Sequence, residues 1–158
     1  MNFKLFFLPL FLVILYSCVG KSKLPETMPE QTTISYSESY GMSPYFITIE
    51  ITGDTLTFTE HPPAINVGEI KWFKKIKIAD KEKLYKLFVK NKFDKIKNKQ
   101  AKKITYDAPS KGISIILSPD IMYNAHSNAN FLLSDKDGIR FYTIVNAIKD
   151  LATKYKSP

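Results

Sequence analysis

The chain has 158 residues, 44% hydrophobic and 13% aromatic, with a formal charge of +8 and a pI near 9.4. This is one domain's worth of chain with enough apolar content for a core, and its single cysteine, Cys18, excludes an intramolecular disulfide. Fourteen lysines crowd between Lys71 and Lys103 against only Asp80, Glu82 and Asp94, and Arg140 is the only arginine. Such a field of flexible ammoniums lacks the planar fork of a shaped anion clamp.

At the N-terminus, Lys4 precedes an apolar run from Leu5 to Tyr16. As a helix this run covers roughly 18 Å, short of the ~30 Å hydrocarbon core of a bilayer. A charged start, an apolar middle and the small Ser17 are the parts of a secretory signal peptide, expected over residues 1–17. Leu15 to Cys18 resembles the lipobox of bacterial lipoproteins. That resemblance implies an acylated Cys18 as the first residue of the mature chain. It also implies attachment to the bacterial membrane, expected to be the outer membrane on its periplasmic side. Residues 18–31 then comprise the lipidated cysteine and a tether: the stretch is polar, holds Pro25 and Pro29, and shows no apolar period. As flexible coil it would hold the domain, residues 32–156, roughly 20 Å from its anchor.

Strands begin with Ile34 and Tyr36, pause at Gly41-Met42-Ser43-Pro44, and resume from Tyr45 to Thr59. Ile47, Ile49 and Ile51 alternate with Thr48, Glu50 and Thr52, and after Gly53-Asp54 the alternation returns with Leu56 and Phe58. A two-residue type II′ hairpin sets Ile51 opposite Leu56, Ile49 opposite Phe58 and Glu50 opposite Thr57, with the apolar residues on one face. His61-Pro62-Pro63 ends that strand, since proline cannot donate to a ladder. From Gly68 the pattern places Ile70, Trp72, Ile76 and Ile78 on one face and Lys71, Lys75 and Lys77 on the other, with Phe73 and Lys74 breaking the period at a bulge or twist.

Asp80 reads as the N-cap of a helix to about Lys92, with Leu84, Leu87 and Phe88 as its buried stripe and Lys83, Lys86 and Lys90 on the other side. Lys95 to Lys103 is a charged connection. Tyr106-Asp107-Ala108-Pro109-Ser110 leads into a strand from Ile113 to Ser118, and after Pro119-Asp120 a strand from Ile121 to His126 returns. A three-residue turn there would put Tyr123 and Ala125 on the face of Ile113, Ile115 and Leu117 and point His126 outward. Ser127 to Phe131 is a loop. Ser134, Asp135 or Asp137 caps a last helix in which Phe141, Ile144, Val145, Ile148, Leu151, Ala152 and Tyr155 recur at the helical period. The order of elements predicts an α+β fold, an antiparallel sheet of about five strands with both helices on one face. The other face is then solvated or holds a partner.

Gly41-Met42-Ser43-Pro44-Tyr45-Phe46 before the hairpin, Tyr106-Asp107-Ala108-Pro109 before Ile113-Ser114-Ile115, and the closing helix resemble a family of small secreted lipoproteins of Gram-negative bacteria known only as a domain of unknown function. The resemblance spans roughly Ile34 to Leu151. Many members carry a cysteine pair flanking the first glycine, where this chain has Ser39 or Tyr40 and Ser43. The family brings no activity, cofactor or site residue with it.

No catalytic or metal constellation is expected. An acylated Cys18 leaves no free thiol for a Cys/His pair, and His61 and His126 lack the spacing of a triad or a metal site. Asp107 is expected to fix a turn before Ala108-Pro109. Tyr36, Tyr40, Tyr45, Phe46 and Trp72 are either a platform for a sugar or partner or, as is commoner, core residues. Export and the absence of stacking or base-reading motifs speak against nucleic acid. The sequence thus points to a membrane-anchored envelope lipoprotein that binds rather than catalyses and needs no cofactor. Its lysines Lys71, Lys75, Lys77, Lys83, Lys86 and Lys90 could meet an anionic envelope surface, and an envelope protein is the other candidate partner. Two other classes stay open: an enzyme on envelope polymers using His126 or Asp107, and an immunity or inhibitor protein against a secreted toxin. The first predicts a deep polar cleft, the second a protruding loop or an exposed apolar patch, and the binding module predicts neither.

Overall fold

A computed structural model describes residues 21–63 and 67–156. The expected signal peptide and Cys18 lie outside these residues. Strands β1 (Thr33–Ser39), β2 (Phe46–Thr52), β3 (Thr55–His61), β4 (Ile70–Lys75), β6 (Ser110–Ser118) and β7 (Ile121–Ser127) form one sheet in the order β4-β3-β2-β1-β6-β7, each pair antiparallel. Helices α1 (Ile78–Lys90) and α2 (Asp135–Lys156) complete an α+β fold. The sheet has six strands where about five were expected. Two short strands, β5 (Lys99–Gln100) and β8 (Phe131–Leu132), pair separately within stretches expected to be loop.

Alternating side chains explain which face is covered. Ile34 and Tyr36 of β1 stand in line with Ile51 and Ile49 of β2, Leu56 and Phe58 of β3, and Ile115 and Ile113 of β6. All are buried, together with Leu84, Tyr85 and Phe88 of α1 and Phe141, Ile144, Val145, Ile148, Leu151 and Ala152 of α2. Both helices therefore pack on one face. The expected hairpin register is found, with Gly53 at φ 57° and Asp54 outside the positive-φ region, as a Gly-first turn requires. The opposite face carries rows of polar side chains, including Thr57, Glu50, Ser35, Ser114 and Asn124 across five strands. Ser35 and Ser114 hydroxyls lie 2.7 Å apart, Ser39 and Ser110 2.8 Å, so cross-strand hydrogen bonds replace apolar packing there.

Four expectations change. Strand β4 stops at Lys75, and α1 starts at Ile78 with Lys77, not Asp80, as N-cap. The Asp80 carboxylate is drawn away from the helix end by the Lys154 ammonium (2.6 Å) and the Tyr155 hydroxyl (2.6 Å). The face of β7 is as expected, Ala125 opposite Ile113 and Tyr123 opposite Ile115, but a register shift between Ile116 and Ser118 produces it instead of a three-residue turn. In α1, Lys81 and Tyr85 are buried while Leu87 is only partly so. Finally, residues 22–31 are docked rather than free. Leu24 is 4% exposed within the core, Tyr85 Oη donates to the Pro25 carbonyl (2.8 Å), and Asp94 accepts from Ser22 Oγ (2.5 Å) and the Lys23 N–H (2.8 Å).

Lys81 is the main polar group in the core. At 1% exposure its ammonium donates to the carbonyls of Thr32 (2.5 Å) and Gly53 (3.0 Å), tying α1 to the start of β1 and to the hairpin turn. Burial pushes its pKa down, and the charge of Asp54 resists only in part. The last helix is capped by Ser134, whose hydroxyl accepts from the Asp137 N–H (3.2 Å) while its carbonyl accepts from Gly138.

Candidate functional site

Alternation along β1 puts Glu38 on the same face as Ile34 and Tyr36, at the strand's end. A carboxylate on an apolar face must be matched by donors, because burying an unpaired charge costs several kcal/mol. Four donors converge on it. Tyr36 Oη (2.6 Å) and Lys149 Nζ (2.5 Å) reach Oε2, while Tyr40 Oη (3.0 Å) and Lys111 Nζ (3.1 Å) reach Oε1. Glu38 is 3% exposed. Burial alone would raise its pKa, but the hydrogen bonds from Lys149, Tyr36, Lys111 and Tyr40 outweigh it and bring the carboxyl down to about 2. Burial and the neighbouring carboxylate push the Tyr36 and Tyr40 hydroxyls up, so they stay protonated as donors.

Above this cluster lies an open cleft of ≈ 470 Å³ lined by Glu38, Ser39, Tyr40, Pro109, Ser110, Lys111, Ser127, Asn128 and Tyr142. Its wall joins β1, β6, the end of β7 and the first turns of α2. Ser127 Oγ and Tyr142 Oη are 2.9 Å apart, and the Lys111 ammonium lies 5.9 Å from the Tyr142 ring centre. Asn128 Oδ1 accepts from the N–H groups of Asn130 (2.8 Å) and Phe131 (2.7 Å), which fixes its amide at the rim.

The two loops singled out in the sequence meet at this end. Gly41 has φ 65°, and a Cβ there would stand 2.2 Å from the Asp107 carbonyl oxygen. Only glycine lets the loops come so close. Asp107 itself holds a left-handed φ of 57°, a conformation that aspartate tolerates in turns. The contact presents the adjoining Met42 and Tyr106 to solvent, each 84% exposed. Behind them the Tyr40 and Tyr45 rings lie 4.8 Å apart, Tyr45 Oη donates to Glu60 (3.1 Å), and Phe46 stacks at 3.8 Å on His61, which pairs with Glu69 at 2.9 Å. The aromatic set is thus divided: Tyr36 is core, Trp72 is partly buried against Phe58 (5.2 Å), and Tyr40, Tyr45 and Phe46 support the loop end.

The expected lysines are not gathered into one patch. Lys71 and Lys75 project from β4 on the open face, and the Lys75 ammonium bonds to Asp54. On an edge strand such lysines also discourage pairing with another chain. Lys77 caps α1 on the covered side, where its N–H donates to Tyr155 Oη (2.9 Å). Lys83 lines a groove between the helices with Asp80, Asp150 and Lys154, Lys86 lies beside Glu26 and Glu82, and Lys90 stands in the last turn of α1. The sheet and its helical layer separate the strand lysines from the helix lysines.

His61 is held in its stack and by its contact with Glu69, and His126 lies on the open face opposite Gly112, where a Cβ would meet its Nδ1 at 3.0 Å. Neither faces the cleft's carboxylate. Among the described residues no group of three or more His, Cys, Asp or Glu side chains is placed to hold a metal, and no helix is long and apolar enough to cross a membrane. Sequence reasoning missed Glu38 and Lys81. For Glu38 a signal existed, since the alternation Ile34, Tyr36, Glu38 carries an acid onto the core face; for Lys81 none did.

No family model matches the chain, and no curated protein matches it. The resemblance to the lipoprotein family rests on its short motifs.

Proposed function

We propose that the protein is a lipid-anchored envelope lipoprotein whose single domain is a non-enzymatic binding module, with an envelope protein as partner at the loop end. The observation that carries this reading is the close Gly41–Asp107 approach, which brings the two loops together with Met42 and Tyr106 in solvent beside the cleft. Exposed apolar side chains on pre-organised loops lose little entropy on association, which is what an interaction surface needs. An immunity or inhibitor role is the separate class that expects a protruding loop or an exposed apolar patch, and the same loop pair favours it. The enzyme reading is weakened by where its candidates stand: His126 lies on the open face and Asp107 holds the turn against Gly41, neither in the lining of the cleft. The cleft's own acid, Glu38, is no better suited. A general acid or base has a pKa near the working pH and a free lone pair or proton, whereas Glu38 sits near 2 with both oxygens occupied by donors.

A second reading has its own observation. Lys111 meets Glu38 in the cleft and Lys149 reaches the same carboxylate from the neighbouring groove beside Trp72, so the three-residue cluster carries one excess positive charge next to the cleft's hydroxyl and amide groups. That chemistry suits an acidic saccharide. A photo-reactive residue placed at Met42, and separately at Asn128, distinguishes the two in intact cells. Cross-linking from position 42 to one envelope protein supports the module; glycan attached from position 128 alone supports the saccharide. Cross-linking from neither site, but from a control at Lys71, would refute both.

A further inference from the structure

The docked N-terminal segment changes how the domain meets a membrane. Ser22 and Lys23 are clasped to Asp94, in the short 3-10 helix Phe93–Lys95, and Leu24 is buried directly after them. Asp94 is turned wholly inward; burial opposes its charge, but the Ser22 and Lys23 hydrogen bonds and nearby Lys95 hold it ionised. Its negative charge is spent inside the fold. The surface of this corner carries the exposed lysines Lys21, Lys23 and Lys97 and the half-buried Lys95, whose ammonium is 3.6 Å from Asp94.

Only three residues separate Cys18 from Ser22. Fully extended, that chain spans at most about 14 Å. An acylated Cys18 therefore brings the Asp94 corner close to the head groups, where charge acts over a screening length of about 8 Å. Lys71 and Lys75, on the open sheet face, and Lys83, beside two aspartates, have no such constraint.

We infer that the corner made by Lys21, Lys23, Lys95 and Lys97 around the Ser22–Asp94 clasp is the surface that rests on anionic phospholipid head groups, fixing the orientation of the domain on the membrane. The inference depends on the proposed acylation of Cys18. It replaces a freely swivelling tether with a seated domain: the acyl chains supply residence, the lysines supply orientation, and Asp94 joins the two by holding the chain entry to the lysine corner. Neutral head groups give no such preference, because ammonium attraction to the surface is what selects this side.

The test uses the mature protein purified from the envelope, carrying either Lys97→Cys or Lys75→Cys labelled with a fluorophore. With Cys18 acylated, the introduced thiol is the only free one. In vesicles of phosphatidylethanolamine and phosphatidylglycerol with nitroxide-bearing head groups, the label at position 97 should be quenched several-fold more than the label at 75. Replacing Lys21, Lys23 and Lys95 by glutamine, or phosphatidylglycerol by phosphatidylcholine, should remove most of that difference. Equal quenching at both positions, or a difference indifferent to lipid charge, would overturn the inference while leaving the anchor intact. The mass of the same sample reports the anchor separately: an unmodified Cys18 would overturn the anchor reading and this orientation with it.

Discussion

Replacing Glu38 by glutamine tests the cleft from the inside. The side chain keeps its shape and a carbonyl for Tyr36, but loses the charge that Lys149 and Lys111 neutralise. The carboxyl titrates near 2 in the fold against 4.5 for the free group. At about 1.4 kcal/mol per unit, that difference corresponds to a ceiling of about 3 kcal/mol. Both lysine side chains are about a third exposed, so water screens part of the attraction and about 2 kcal/mol is the working figure. Because the folded pKa is depressed, this stability is complete above pH ~4.5 and disappears as pH falls towards ~2. Urea unfolding across that range, on wild type and Glu38→Gln, should show the variant weaker by about 2 kcal/mol at neutral pH and the gap closing on acidification. Parallel curves, with the same gap near pH 2 as at neutral pH, would refute the assignment of the effect to the ionised carboxylate.

Four further outcomes follow from the packing. Gly41→Ala should cost about 3 kcal/mol or more, since its Cβ meets the Asp107 carbonyl, whereas Gly53→Ala, open on all sides but also at positive φ, should cost only about 1 kcal/mol; thermal melts of the pair compare backbone collision with backbone preference. Lys81→Ala should destabilise by about 3 kcal/mol or more by opening a cavity and orphaning two carbonyls, and Lys81→Met should cost less. The folded pKa of Lys81 is lowered, so the unfolded chain binds more protons and wild type should gain stability relative to Lys81→Met as pH rises towards about 10 in chemical unfolding. Ile148→Asp places an unpaired charge at a fully buried position of α2 and should abolish cooperative unfolding or lower stability by about 4 kcal/mol or more.

Much of the sheet was legible because its periodicity is regular. Ile47, Ile49 and Ile51 alternate up to the turn and Leu56 and Phe58 after it, and Gly53 supplies the one turn residue the register needs, so local chemistry and side-chain period agree. The closing helix was equally plain in its apolar stripe. What failed was tertiary in origin. Asp80 has the chemistry of an N-cap, but its partners, Lys154 and Tyr155, are more than seventy residues away. Residues 22–31 look like a tether because one buried leucine and a few backbone hydrogen bonds make no pattern. The two loop motifs were visible separately; their contact at Gly41 and Asp107 was not, since nothing local says which left-handed turn meets which. The lysines were read as one field because charge composition ignores the sheet that lies between them.

The anchor is open to the most direct measurement: the mass of the N-terminal peptide of the mature protein isolated from its own cell envelope. This peptide should begin at Cys18 and carry more than one acyl chain, because a single chain holds a protein to a membrane only marginally. A mature chain that begins at any other residue, or at a Cys18 without acyl groups, would contradict the anchor.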